Sequence, residues 1–120
     1  MAYTITYETN ADLPTGVSVN INLTRGDYLP LTIEMEKEDE AFTPNTGSLR
    51  FALKKKYKNS DTELLLNKAI PLDTRLLELE GDDTKPLAFG DYDYDIQYTD
   101  ASGHPCTFII GKLTLSQEVY

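Results

Sequence analysis

The clearest alternation of apolar and polar positions lies between Leu87 and Tyr98, LAFGDYDYDIQY. Tyr92, Tyr94, Ile96 and Tyr98 share one parity, and Asp91, Asp93, Asp95 and Gln97 share the other. A period of two places these sets on opposite faces of a β-strand. The apolar set is dominated by tyrosine, so this strand carries much of the bulk of a core. Similar alternation recurs along the chain. In residues 2–8, Tyr3, Ile5 and Tyr7 alternate with Thr4 and Thr6, as a short strand or an arm awaiting a partner. Asn10 to Gly16 reads as a loop by its turn residues. Val17, Val19, Ile21 and Leu23 form the next inward set, closed by a tight turn at Arg25-Gly26-Asp27. Leu29, Leu31, Ile33 and Met35 follow. Pro30 cannot donate to a ladder, so that end of the strand belongs at an edge or a bulge. Leu49, Phe51 and Leu53 mark another strand, which runs into the basic stretch Lys54-Lys55-Lys56-Tyr57-Lys58.

The second half contains less regular stretches. Leu64, Leu65 and Leu66 in series fit either a strand buried on both faces or a short helix, and periodicity does not decide between them. Leu77 and Leu79 alternate as a strand. A single helical turn is expected near 83–88, with an Asp as its cap, Pro86 in its first turn and Leu87 pointing back to the core. Gly90 then releases the chain into the tyrosine strand. Leu87-x-x-Gly90-x-Tyr92 has the form of the tyrosine corner of immunoglobulin-like sandwiches, in which the hydroxyl bonds back to the corner's backbone. The alternative is an ordinary half-buried strand preceded by a glycine turn. Tyr94 takes the core position two residues on. Thr99 to His104 is a hairpin loop with Gly103 free to adopt positive φ. Beyond it Cys106, Phe108 and Ile110 share one parity while Leu113 and Leu115 share the other, which predicts a β-bulge at Gly111. The pattern amounts to seven to nine short strands with at most one helical turn: an all-β, immunoglobulin-like antiparallel β-sandwich, or a small barrel, forming a single domain over 1–120.

Composition narrows the chemistry. A chain of 120 residues is one domain of ordinary size and buries roughly two thirds of its unfolded surface. One cysteine excludes an internal disulfide, and one histidine excludes Cys/His zinc spacing. No run of about 18 apolar residues suggests a membrane span. The N-terminus lacks the basic region and apolar core of a secretory signal, so synthesis in the cytoplasm of the host cell is expected. The net charge of −9 argues against a nucleic-acid partner, which requires Lys and Arg to displace counterions, and against an anionic membrane surface.

Candidate chemistry is sparse. Asp91, Asp93 and Asp95 line one strand face, but calcium sites wrap the ion with loops, and a flat strand does not. A solvated acidic face opposed by the Lys54–Lys58 run is the expectation. Arg25-Gly26-Asp27 matches an adhesion tripeptide, yet it is also what a tight turn needs. Asn22-Leu23-Thr24 is a glycosylation sequon that lacks the secretory context to matter. His104 and Cys106 are close enough in sequence for a thiolate–imidazole pair. Cys106 shares parity with Phe108 and Ile110, which predicts a buried, inert thiol. No enzymatic activity, cofactor or metal site is therefore expected.

Three blocks carry a family resemblance: Arg25-Gly26-Asp27 with the Leu29–Met35 strand, Asp83-Thr84-x-x-Leu87-x-x-Gly90-x-Tyr92-x-Tyr94-Asp95-Ile96-Gln97, and Thr107-Phe108-Ile109-Ile110-Gly111-x-Leu113-x-Leu115-x-x-Glu118-Val119. Together they cover about half the chain, and the middle block is the most specific. In these blocks the sequence resembles small β-sandwich proteins from the structural gene clusters of tailed bacteriophages, similar to the N-terminal domain of baseplate upper proteins. The resemblance implies a virion structural protein of the tail or baseplate region that acts by protein–protein contact. Its partners would be other virion proteins or copies of itself, as a homo-oligomer or part of a larger assembly. The sequence departs from that family by lacking a long C-terminal extension, which implies a stand-alone domain. Tyr3, Ile5 and Tyr7 are the candidate interface residues, because a terminal strand can dock without unfolding the rest. The rival reading is a carbohydrate- or surface-binding module on the same architecture. That reading requires exposed rings, whereas most Tyr and Phe share parity with the core; Tyr28, Tyr57 and Tyr120 are the exceptions.

Overall fold

The tyrosine strand occupies the middle of the larger of two sheets. The computed structural model describes residues 3–9, 17–18, 20–37, 40–41, 45–56 and 64–117. Among these residues the strands are β1 (Tyr3–Thr9), β2 (Val17–Ser18), β3 (Ile21–Thr24), β4 (Leu29–Lys37), β5 (Glu40–Ala41), β6 (Ser48–Lys54), β7 (Leu66–Ile70), β8 (Leu76–Leu79), β9 (Gly90–Thr99) and β10 (Pro105–Ser116), with one helical turn, α1 (Gly81–Thr84). The larger sheet runs β2/β3, β10, β9, β6, β7, and the smaller one is centred on β4, with β1 on one edge and β8 and β5 on the other. Most pairings are antiparallel. Three are parallel: β1 with β4, β2 with β10, and β3 with β10.

The sheets face each other over one apolar core. The smaller sheet supplies Leu29, Leu31, Ile33, Leu77 and Leu79, and the larger supplies Ile21, Leu23, Leu49, Phe51, Leu53, Ile70, Tyr92, Tyr94, Ile96, Ile109, Leu113 and Leu115. Each fully buried aliphatic side chain contributes roughly 1.5–3 kcal/mol over leaving it in water. At the centre the Tyr94 ring stacks on Phe51, with centroids 5.5 Å apart. Burial pushes the Tyr94 phenol well above its ordinary pKa, because the ionised form would lose its hydration.

The tyrosines flanking Tyr94 on its face anchor the ends of β9. Tyr92 is buried, and its hydroxyl donates to the Ala88 carbonyl at 2.5 Å. That bond spans the corner in which Gly90 adopts φ +128°, a conformation that side-chain-bearing residues rarely take. Leu87 lies half-buried against the core at the same corner. At the other end the Tyr98 hydroxyl donates to the Thr46 carbonyl at 2.8 Å. Gly47 stands beside it with φ +93°, and a Cβ there would lie 2.1 Å from the Thr99 carbonyl oxygen.

Several local expectations resolve differently. The ladder between β9 and β10 shifts register between Thr107 and Ile109, so Phe108 and not Gly111 is the inserted residue. From Ile109 to Leu115 pairing is continuous, with Gly111 opposite Tyr94. Ile109 is therefore buried and Ile110 turns to the outer face, half-buried. The side chains of Cys106 and Phe108 lie outside the described set, as do Val19, Tyr57 and Tyr120. The Leu64–Leu66 stretch leads into strand β7, paired along β6 from Leu66 opposite Leu53 to Ile70 opposite Leu49. The helical turn begins two residues earlier than 83, because the Asp83 carboxylate accepts the Glu80 backbone N–H at 2.8 Å and closes the turn from its third residue.

Two substitutions test this account. Tyr92→Phe removes the corner hydrogen bond and is expected to cost about 1 kcal/mol, while Tyr92→Ala also removes the ring and is expected to cost about 3–5 kcal/mol. Urea denaturation reads both, and a Tyr92→Ala midpoint equal to the parent's would refute the corner. Gly47→Ala combines a positive φ with the clash at Thr99, so a loss of at least about 1–3 kcal/mol is expected; Ser48→Ala, next to it and exposed, should change the midpoint little.

Candidate functional site

No constellation of reactive side chains converges among the described residues. Among the described residues there is no group of three metal-ligating side chains. Nor is there a helix long and apolar enough to cross a membrane. What the molecule presents is surface: a charged sheet face, a corner at one end of the sandwich, and the sheet edges.

The outer face of the larger sheet carries the aspartates of β9. Asp93 stands opposite Lys54 on β6 and Lys112 on β10, and the Lys112 ammonium lies 3.6 Å from its carboxylate. Asp91 accepts the Thr114 hydroxyl at 2.7 Å, and its carbonyl accepts the Lys55 ammonium at 2.9 Å. These aspartates are engaged by neighbours on both flanking strands. Lys55 also lies over the Tyr92 ring, 4.5 Å from its centroid, covering the corner from outside.

At one end of the sandwich the β3–β4 turn docks on the α1–β9 corner. The Gly26 N–H donates to the Thr84 hydroxyl at 2.9 Å, and Thr84 is fully buried. Arg25 donates to the Leu87 carbonyl at 3.3 Å and lies 4.2 Å over the Phe89 ring. The Arg-Gly-Asp tripeptide is thus a docked turn whose arginine is turned onto its own domain. Phe89 and Tyr28 remain partly exposed. The Tyr28 hydroxyl donates to Glu78 at 2.6 Å. Holding its proton against that carboxylate raises the phenol's pKa. At the opposite end Asp100 accepts the backbone N–H groups of His104 and Ser102. Those bonds favour its ionised form and lower its pKa, His104's being the larger cause.

The sheet edges differ in how well they are protected. β7 ends the larger sheet, and its Lys68 turns toward the gap between the sheets. There the ammonium bonds the Glu78 carbonyl on β8 and the Asp83 carboxylate at α1. An inward charge on an edge strand discourages a further strand from adding. β8 is only four residues long and β5 only two. On the edge formed by β2 and β3, the Asn20 side chain takes up the Lys112 N–H at 3.2 Å. β1 is different: seven residues, YTITYET, without Pro or Lys. It pairs with β4 from Tyr3 opposite Leu31 to Thr9 opposite Lys37. Among the described residues, no strand pairs with its other side.

The anticipated residues therefore fall into separate places. Tyr92, Gly90 and Leu87 gather at the corner, and Tyr94 sits behind them in the core. Gly111 lies on the regular part of β10. Tyr3, Ile5 and Tyr7 lie on the open edge strand, far from the corner in sequence. The Arg25–Phe89 stack and the Lys68 plug escaped the sequence reading, because each joins residues distant along the chain. The one local signal was Lys68 itself, a charge in the inward parity of an otherwise apolar stretch.

No model of a known protein family matches the sequence, and no curated protein matches it. Solved structures do resemble the fold. The N-terminal domain of phage TP901-1 ORF48 superposes with a TM-score of 0.54 at 10% identity, covering 96% of this chain and 98% of that one. Fibronectin(III)-like modules of Clostridium thermocellum CbhA give 0.46 at 13% identity over 85% and 92% of the two chains. CopC from Methylosinus trichosporium OB3b gives 0.40 at 14% identity over 84% and 89%. The chain is similar in fold to a phage protein domain across almost the whole length of both.

Proposed function

We propose that this protein is a structural component of a phage or prophage particle, in the tail or baseplate region, that acts by protein–protein contact and carries no catalysis. The observation that carries the reading is the likeness to the phage TP901-1 ORF48 domain, which runs over 96% of this chain at a TM-score of 0.54. The residue blocks around Arg25-Gly26-Asp27, Asp83–Gln97 and Thr107–Val119 point the same way, since they resemble baseplate upper proteins. The partners in this reading are other virion proteins or further copies of the chain, and the site of action is the virion. The described edges support it: among the described residues no strand pairs with the outer side of β1, and an edge strand can take up a partner's strand. A sugar-binding module would need free ring faces. Among the described residues, Arg25 covers one face of the partly exposed Phe89 ring.

Mass spectrometry of purified particles from the phage or prophage that encodes the chain tests this. The chain is expected at a fixed copy number in intact particles, and deletion of its gene is expected to give particles defective in the tail region. Wild-type particles that lack the chain would overturn the reading.

A further inference from the structure

Residues 3–7 of β1 read Tyr-Thr-Ile-Thr-Tyr, the same in either direction. Among the described residues, this symmetry lies on a seven-residue edge strand of the smaller sheet that contains no proline or lysine and pairs on one side only. When two identical strands pair antiparallel about a two-fold axis, each position meets its mirror position. With the axis at Ile5, Tyr3 stands opposite the partner's Tyr7, Thr4 opposite the partner's Thr6, and Ile5 opposite the partner's Ile5. Aromatic pairs and Thr–Thr pairs are among the cross-strand combinations that stabilise antiparallel ladders, and like charges directly opposite destabilise them. Glu8 is the only charged residue of β1. An axis at Ile5 sets it opposite position 2, an alanine, and away from the partner's Glu8.

We infer that the outer edge of β1 pairs antiparallel with the outer edge of β1 of a second copy, on a two-fold axis at Ile5, which joins the two smaller sheets into one. The inference rests on the proposed reading that the protein works through contact, and it names the partner at that edge as the chain itself. Pairing five residues a side buries far less than the roughly 1,600 Å² of a standard stable interface. The contact is therefore weak between free molecules and gains strength where an assembly already holds copies side by side.

Cysteine cross-linking reads such a contact without requiring a tight dimer. Opposed antiparallel residues have Cα atoms about 4.5–5.5 Å apart, within the reach of a disulfide. In a Cys106→Ser background, Ile5→Cys is expected to form a disulfide dimer under mild oxidation, well above Ser102→Cys, which reports random collision from an exposed loop. Thr4→Cys and Thr6→Cys, each alone, are expected to stay at the collisional level, and a mixture of the two is expected to cross-link. Thermal melts of every variant against the parent check that the fold is retained, and the Thr4/Thr6 mixture keeps the test open if Ile5→Cys is unstable. Three outcomes would overturn the inference. One is collisional cross-linking at Ile5 and in the mixture. Another is Thr4→Cys alone cross-linking as well as the mixture, which means another register. The third is a cross-link between Ile5→Cys of one copy and Ile33→Cys of another, which means that β1 is exchanged between chains. Particle composition is measured separately. A chain present in virions without the Ile5 cross-link defeats only this inference, and a cross-linked chain absent from virions defeats only the proposed function.

Discussion

The fold depends on how β9 is held. It is the middle strand of the larger sheet and sends Tyr92, Tyr94 and Ile96 into the core. Three tyrosines on one face of one strand are demanding, because a buried phenol needs somewhere to place its polar end. The structure meets that demand by using two of them as latches. Tyr92 bonds the corner through Ala88, and Tyr98 bonds the loop before β6 through Thr46. The apolar bodies of these rings fill the core while their hydroxyls satisfy carbonyls that a turn would otherwise leave to water. Tyr94, between them, is buried in the core with its ring stacked on Phe51.

Charge is handled with similar economy. The strand that bears three aspartates on its outer face lies between strands that bear lysines, and each pairing is settled by register. Exposed ion pairs of this kind contribute little stability individually, about 0–1 kcal/mol. Their effect is to leave the face polar and balanced. Lys68 has a more specific position. It links the edge of one sheet to the edge of the other and to the cap of α1, through an Asp83 that also closes the helical turn. One carboxylate therefore terminates a helix and anchors an edge. With that side closed, β1 is, among the described residues, the long edge strand of the smaller sheet without a second neighbour.

The reading of individual strands needed little beyond local alternation. The inward parity of Ile21 and Leu23, of Leu29 to Ile33, of Leu49 to Leu53, of Leu77 and Leu79, and of Tyr92 to Ile96 matches buried positions, while Ala52, on the opposite parity of its strand, is buried as well. The alternation failed where neighbouring residues are equally apolar. Ile109 and Ile110 offer either parity, so a bulge anywhere between Thr107 and Leu113 reconciles the pattern. The ladder with β9 places it at Phe108, setting Ile109 opposite Ile96. Leu64 to Leu66 failed for the same reason. There the pairing with β6 imposed a strand on a sequence whose periodicity was silent.

Local alternation was enough for the class of fold, the faces of most strands and the tyrosine corner, because a period of two, a glycine and a tyrosine are local signals that act within a few residues. Only the tertiary structure decided which strands are neighbours, that β1 and β2/β3 run parallel to their partners, and that Arg25 lies over Phe89 and Lys68 reaches Asp83. Those features join residues 15 or more positions apart. Their energies depend on geometry that the rest of the core must first create, so no local pattern records them.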